Sequence, residues 1–265
     1  MMLDLFLAAA LLVQQSPVGL APADDSFIRD ATIRPVDYVM FHQEIDDENV
    51  DRVARLLKPG VILDLQSIGG DMRASLRMAR LVRSQGVRVR ISGECASGCA
   101  VVWATARDRL ADGFSAATFH GNPISGWNWI SAHRDQFSAE EVAWAEAEHD
   151  AFRDFLTETG VQPWLFQCAS RLQNPRHTIL AYPQGYDRVT TEVDYEMVWF
   201  PRAILEAAGV PGLDRYDPPN ARQREAIETE FGTASRARRV YWAQDGDCDP
   251  DRQTAAGSEA QTGKA

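Results

Sequence analysis

Between residues 36 and 120 the sequence alternates strand and helix signals, and this predicts an α/β fold with a mostly parallel central sheet. Two observations carry the prediction. Val61-Ile62-Leu63-Asp64-Leu65 is a short, nearly continuous apolar run, the pattern of a strand covered on both faces. The segments between such runs place apolar residues three and four apart, the spacing of an amphipathic helix.

The elements follow in order. VDYVMFHQEI, residues 36–45, reads as a strand. Asp46-Asp47-Glu48-Asn49 is a helix start, since carboxylates favour the positive end of the helix dipole. Val50, Val53, Leu56 and Leu57 continue it, and Lys58-Pro59-Gly60 stops it. After the strand Val61–Leu65, Ser67-Ile68-Gly69-Gly70 is a turn. Met72, Leu76, Ala79 and Val82 mark the inner face of a second helix, which ends at Gly86. Val87, Val89 and Ile91 alternate with Arg88 and Arg90, giving a strand of period two. A helix is expected from Ser97 to Ala106, and a strand from Ser115 to Phe119 that leads into His120. Ser138 and Glu141 form a capping box for a long helix reaching Thr159, with Val142, Ala145, Phe152, Phe155 and Leu156 as its apolar stripe. Pro201 to Ala208 is a further helix, ending at Gly209. The tail beyond Arg252 is small and polar, a composition that does not build a core.

Composition limits the function classes. The chain has 265 residues, 45% hydrophobic and 25% charged, with a formal net charge of −11. A nucleic-acid binder presents a basic face. The richest basic stretch here is Arg236-Ala237-Arg238-Arg239, which reads as a solvated helix face, so no nucleic-acid partner is expected. Leu5 to Val13 is apolar but falls short of the roughly 20 residues that span a bilayer. With the small residues Ala21-Pro22-Ala23 it reads as a signal peptide over residues 1–23, although Asp4 stands where a positive charge is usual; an N-terminal core helix is the other reading. Export to the periplasm or beyond is expected, with no stable membrane span after leader removal. The remaining division is 24–215 for the main domain and 216–265 for a C-terminal helical extension and tail.

Cys95, Cys99, Cys168 and Cys248 form no CxxC or Cys/His array, and His133, His149 and His177 lack ligand spacing, so no metal or cofactor is expected. Export would permit disulfides. On a regular helix the spacing of Cys95 and Cys99 would hold their sulfurs too far apart, but the turn at Ser97 leaves a bridge there open. Glu94 beside them, with no basic neighbour, argues against a reactive thiol.

Three glycine-marked strand ends could carry acyl-transfer chemistry: Gly69-Gly70, the segment Gly93-Glu94-Cys95-Ala96-Ser97-Gly98-Cys99, and Phe119-His120-Gly121. A serine at the start of a helix sits where developing negative charge is favoured. Glycines let backbone N–H groups approach an oxyanion, and a histidine in reach takes the hydroxyl proton. Taken singly, each has a plainer reading: a turn, a helix N-cap and a structural histidine. Trp127, Trp129, Trp144 and Phe137 could line a cleft after His120, but the core is their expected place.

Taken in order, these segments resemble the ClpP/crotonase superfamily. Leu63-Asp64-Leu65-Gln66-Ser67-Ile68-Gly69-Gly70 is similar to its strand followed by Asn-Ser-Pro-Gly-Gly, Gly93 to Ala100 to the Gly-x-Ala-Ala-Ser segment around the ClpP nucleophile, and Phe119-His120 to the strand end bearing its base. The Cys-x-Ser-x-Cys form resembles periplasmic ClpP-like proteins. The resemblance spans roughly Val36 to Val210 and departs from ClpP at Ile68 and at the two cysteines. It implies a fold of repeated ββα and βαβ units, Ser97 as nucleophile, His120 as general base, and oxyanion donors at Gly69, Gly70 and Gly98. The third acid is expected just before the helix that ends at Gly209, with Asp194 first, then Glu196 and Asp187. It implies a serine hydrolase acting on a peptide or ester, and a homo-oligomer. A non-catalytic assembly protein of the same fold is the alternative. An acyl-CoA enzyme fits less well, because CoA is cytosolic and no basic cluster awaits its phosphates.

Overall fold

The strands that carry the glycine-marked ends lie side by side and run in the same direction. In the computed structural model, which describes residues 37–111, 115–181, 187–216, 218–234 and 240–249, β1 (Tyr38–Phe41), β2 (Ile62–Ser67) and β3 (Arg88–Ala96) are consecutive parallel neighbours. The first half of β3 pairs with β4 (Asp108–Ala111), and its last residues, Glu94 to Ala96, pair with β5 (Ala116–Phe119). Both pairings are parallel. Beyond β5 the sheet continues through β8 (Met197–Trp199), antiparallel, and β9 (Val240–Trp242), parallel to β8. A separate hairpin joins β6 (Arg176–Ala181) and β7 (Asp187–Glu192). The class is thus α/β with a mostly parallel sheet, as the sequence predicts.

Local sequence signals explain where the crossover helices start and stop. Asp46 caps α1 (Asp47–Ala54) by accepting the Asn49 N–H at 2.7 Å. Asp71 does the same for α2 (Met72–Gln85) through Ala74, and Gly86 closes α2 in the left-handed region. Such caps are each worth about 0.5–2 kcal/mol. Helix α3 (Gly98–Thr105) is buried at every residue, so it reads as apolar all round rather than as a stripe. The long helix α5 (Ala139–Thr159) has the expected capping box between Ser138 and Glu141. It buries Ala145, Phe152, Phe155 and Leu156, while Val142 remains partly exposed. Helix α7 (Arg202–Ala207) follows Pro201.

Several elements depart from the sequence reading. The first strand stops at Phe41, and Ile45 makes only an isolated bridge to Gly70. Strand β3 runs five residues past Ile91 to Ala96, so the segment from Gly93 to Ala96 lies within the strand rather than after it. Two helices were not legible: α4 (Pro123–Ala132) and α6 (Trp164–Gln173). The segment assigned to an extension supplies α8 (Ala221–Ala234) and then β9, a strand of the main sheet, so residue 215 marks no structural break. The leader, the basic run 236–239 and the tail beyond Arg252 lie outside the described residues. No described helix is long and apolar enough to cross a membrane.

A disulfide between Cys168 on α6 and Cys248 after β9 locks this C-terminal strand in place. It closes a loop of sequence separation 80, for which chain-entropy bookkeeping gives about 4 kcal/mol; the Cys95–Cys99 bridge, of separation 4, is worth about 2 kcal/mol on the same scale. The Cys168→Ala/Cys248→Ala protein is therefore expected to melt roughly 8–16 °C lower. Calorimetry checks this, and an unchanged melting temperature contradicts it.

Candidate active site

Parallel neighbours deliver their carboxyl ends to one edge of a sheet, which is where open α/β sheets bind ligands. Here that geometry gathers the ends of β2, β3 and β5. The register places Ala96 opposite Thr118, and the Ser97 amide donates to the Thr118 carbonyl at 3.0 Å. Ser97 and His120 consequently open onto the same cavity, of about 740 Å³. This volume is within the range of small-molecule and peptide clefts.

Ser97 sits at the junction of β3 and α3 with φ 57° and ψ −123°. Positive φ is uncommon for a residue with a Cβ. Its side chain makes no capping bond to α3, so the N-cap reading does not account for it. At this strand-to-helix turn the residue is half-buried and lines the cavity, and the turn, an elbow in the chain, resembles the sharp strand–helix turn on which hydrolase serines sit.

The glycines are fixed by contact with that elbow. A Cβ on Gly69 would lie 2.7 Å from Ser97 Cβ and 2.9 Å from the Gly98 nitrogen, at a residue whose φ is +95°. A Cβ on Gly98 would lie 2.1 Å from Ser75 Oγ. Ser75 is buried, with its hydroxyl given to the Asp71 carbonyl at 2.7 Å. The three glycines expected as oxyanion donors are not placed alike. The Gly69 amide already donates to Ser67 Oγ at 3.1 Å, so the part of Gly69 is steric. The Gly98 amide belongs to the first turn of α3, and Gly70 borders the cavity beside it.

His120 is held by packing on both sides. Phe119 is buried against Phe166 and Phe200, with ring centroids 5.6 and 5.4 Å away. Asn122 caps α4, and its Nδ2 donates to the Phe166 carbonyl at 2.9 Å. The chain on either side of His120 is thus tied to α6. Asn122 and its capping-box partner Ser125 were readable signals, with Pro123 at the first helical position.

Of the expected acids, Asp194 has its carboxylate held by Asn174 Nδ2 at 2.7 Å and Arg176 Nη1 at 2.8 Å. Its own amide donates to the Gln173 carbonyl at 2.9 Å. Its neighbours Val193 and Glu196 border the cavity. The side chain of Glu196 is exposed, and its carbonyl accepts from Gln173 Nε2 at 2.7 Å. The Asp187 side chain lies outside the described residues. Asp71 and Glu148, unlike Asp194, line the cavity themselves, and they too have partners: Asp71 caps α2, and Glu148 pairs with Arg73.

The four aromatic residues after His120 are not core: Trp129 and Phe137 are partly buried outside the cavity lining, and the other two belong to it. Trp127 and Trp144 border the cavity, and Trp144 is 60% exposed. Trp129 lies between His133 and His177, with centroids at 4.8 and 4.6 Å. Burial, and after it the nearby His133, pushes the His177 pKa down, which favours the neutral ring. No group of three or more potential metal ligands occurs among the described residues.

No protein-family model matches the chain, and no curated protein matches it. Among solved structures it is similar to ClpP1 from Listeria monocytogenes, in the wild-type protein and in a mutant of it. Each is 16% identical, with 46% of this chain and 71% of that chain covered and a TM-score of 0.35. Similarity at that level decides neither fold family nor function.

Proposed function

We propose that the protein is an exported serine hydrolase, peptidase-like, with a ClpP/crotonase-type fold. One observation carries the reading: a serine at positive φ, with no capping bond to its helix, opens onto the same cavity as a histidine on the adjacent parallel strand. Strained conformations of this kind persist where the surroundings enforce them, and they concentrate at active sites.

In this mechanism Ser97 Oγ attacks the carbonyl carbon of a peptide or ester while His120 takes the hydroxyl proton. The carbonyl oxygen becomes an oxyanion facing the amides of Gly70 and Gly98, at the positive end of α3. When the tetrahedral intermediate collapses, His120 returns the proton to the leaving amine or alcohol, leaving an acyl ester on Ser97. Water, deprotonated by His120, then hydrolyses that ester. Asp194 orients the imidazole. The two bonds from Asn174 and Arg176 suit it to this role, since an orienting carboxylate must itself be fixed. Residues 1–23 act as a signal peptide. The bridging of all four cysteines supports a destination outside the reducing cytoplasm. The working form is a homo-oligomer.

Labelling by a fluorophosphonate, which phosphonylates activated serines, tests the reading through the acid. Asp194→Asn is expected to slow labelling by about 10³–10⁴, the scale seen when a triad acid is lost. Glu196→Gln should change it less than threefold. The reverse ranking assigns the role to Glu196, and neutrality of both variants together with Asp187→Asn contradicts a Ser-His-acid site here.

A further inference from the structure

We propose that the Cys95–Cys99 disulfide is an activation element that sets Ser97 in its reactive conformation, so that the folded chain gains hydrolase reactivity only when these thiols are oxidised. The proposal rests on the serine-hydrolase reading above and deepens it.

Cys95 is the penultimate residue of strand β3 and Cys99 is in the first turn of α3, with Ser97 midway between them. The bridge therefore closes a small ring whose central residue is the one at φ 57°. Both half-cystines are wholly buried. Two hydrogen bonds complete the frame: the Ser97 amide to Thr118 O at 3.0 Å, and the Val101 amide to Ser97 O at 3.1 Å. Nothing else at this junction compensates the backbone cost of the turn by capping, because the serine hydroxyl makes no bond to the helix.

Removing the bond changes the geometry directly. Bonded sulfurs lie about 2.05 Å apart, whereas unbonded heavy atoms need about 3.5–4 Å. In a fully buried site, two thiols must separate by more than 1 Å. The strand end and the helix start carry them, so the elbow moves too. A displacement of about 1 Å at a reacting atom costs on the order of 10²-fold in rate. The activation step is balanced as a thiol–disulfide exchange. Two thiols lose two protons and two electrons, the Cys95–Cys99 bond forms, and a disulfide oxidant such as oxidised glutathione is reduced to two thiols. Because the sulfurs are buried, the state set during folding is retained: mild reductant acting on the native protein should leave reactivity intact.

The test compares the oxidised wild-type chain, the wild-type chain refolded under reductant, Cys95→Ala/Cys99→Ala and Cys168→Ala/Cys248→Ala. Each is read by the fluorophosphonate labelling rate, by circular dichroism and by hydrogen exchange at the amides of Ser97 and Val101. The expected result is labelling about 10²-fold slower in the wild-type chain refolded under reductant, whose paired thiols must separate, with the fold retained and faster exchange at those two amides. Cys95→Ala/Cys99→Ala, which loses the tie without the thiol contact, should share the faster exchange and label more slowly than the oxidised wild type. The Cys168→Ala/Cys248→Ala protein, assayed below its melting range, should label at the wild-type rate. If oxidised wild type does not label, the hydrolase reading fails, and exchange alone decides whether the bridge holds the elbow. If the elbow variant fails to fold, the wild-type chain refolded under reductant supplies the comparison. Wild-type exchange and an unchanged labelling rate without the Cys95–Cys99 bond would overturn the proposal.

Discussion

Ser97→Ala is expected to abolish fluorophosphonate labelling and to reduce any hydrolysis to a residual of roughly 10³–10⁴ over water, which the oxyanion site and substrate binding alone supply. The fold should survive. Ser97 is only half-buried and its side chain does not cap α3, so the alanine removes one hydroxyl and no structural bond. The backbone there still pays about 1–2 kcal/mol for positive φ with either residue, so that cost cancels between wild type and variant. A melting shift of less than a few degrees follows. His120→Ala should slow labelling by 10²–10⁴, the usual range for a general base. A non-catalytic protein of the same fold behaves differently: its wild-type form is already unreactive, and Ser97→Ala does nothing to labelling. Equal labelling of wild type and Ser97→Ala contradicts the role of this serine.

Gly69→Ala is expected to lose both stability and reactivity. Its added Cβ meets Ser97 Cβ at 2.7 Å, the Ala96 carbonyl at 2.8 Å and the Gly98 nitrogen at 2.9 Å. Two of these are backbone atoms, which cannot swing aside. The residue is also at φ +95°, where alanine is strained. Overpacking of about 1–3 kcal/mol adds to about 1–2 kcal/mol for the backbone. Relief can come only by moving the elbow, with a rate cost on the order of 10². Gly86→Ala is the control. It too has positive φ, +63°, but nothing lies within 4 Å of its Cβ. It should cost about 1 kcal/mol and leave labelling unchanged. Parallel unfolding and labelling curves decide, and equal behaviour of the two variants contradicts a tight contact between Gly69 and the elbow.

The parallel unit was legible because its signals are local. Asp46 and Asp71 cap their helices, Gly86 ends one, the apolar run at Val61 calls for burial on both faces, and Val87, Val89 and Ile91 alternate with arginines at strand period. The grouping of the glycine pair, Ser97 and His120 followed from their order on successive strands, since parallel neighbours present their ends together. What was missed depends on tertiary context. Helix α4 carries Gly126, Asn128 and two tryptophans, all poor helix formers, and only its Asn122–Pro123–Ser125 start announces it. Strand β9 is three residues long and finds its place through β8, more than forty positions away, and through the Cys168–Cys248 bond, whose partners are eighty positions apart. The Cys95–Cys99 bridge stayed open in the sequence because regular helical spacing argues against it while the turn at Ser97 allows it, and only the strand–helix junction decides. Trp127 and Trp144 read as core by composition, yet they face the cleft, where an apolar wall needs a substrate to cover it.

Intact-mass measurement of the oxidised protein after fluorophosphonate treatment, followed by peptide mapping, tests the central claim most directly. The account predicts one adduct per chain, on Ser97, that is absent from Ser97→Ala. No adduct on the folded, oxidised wild-type protein, or an adduct that persists at another residue in Ser97→Ala, would contradict it.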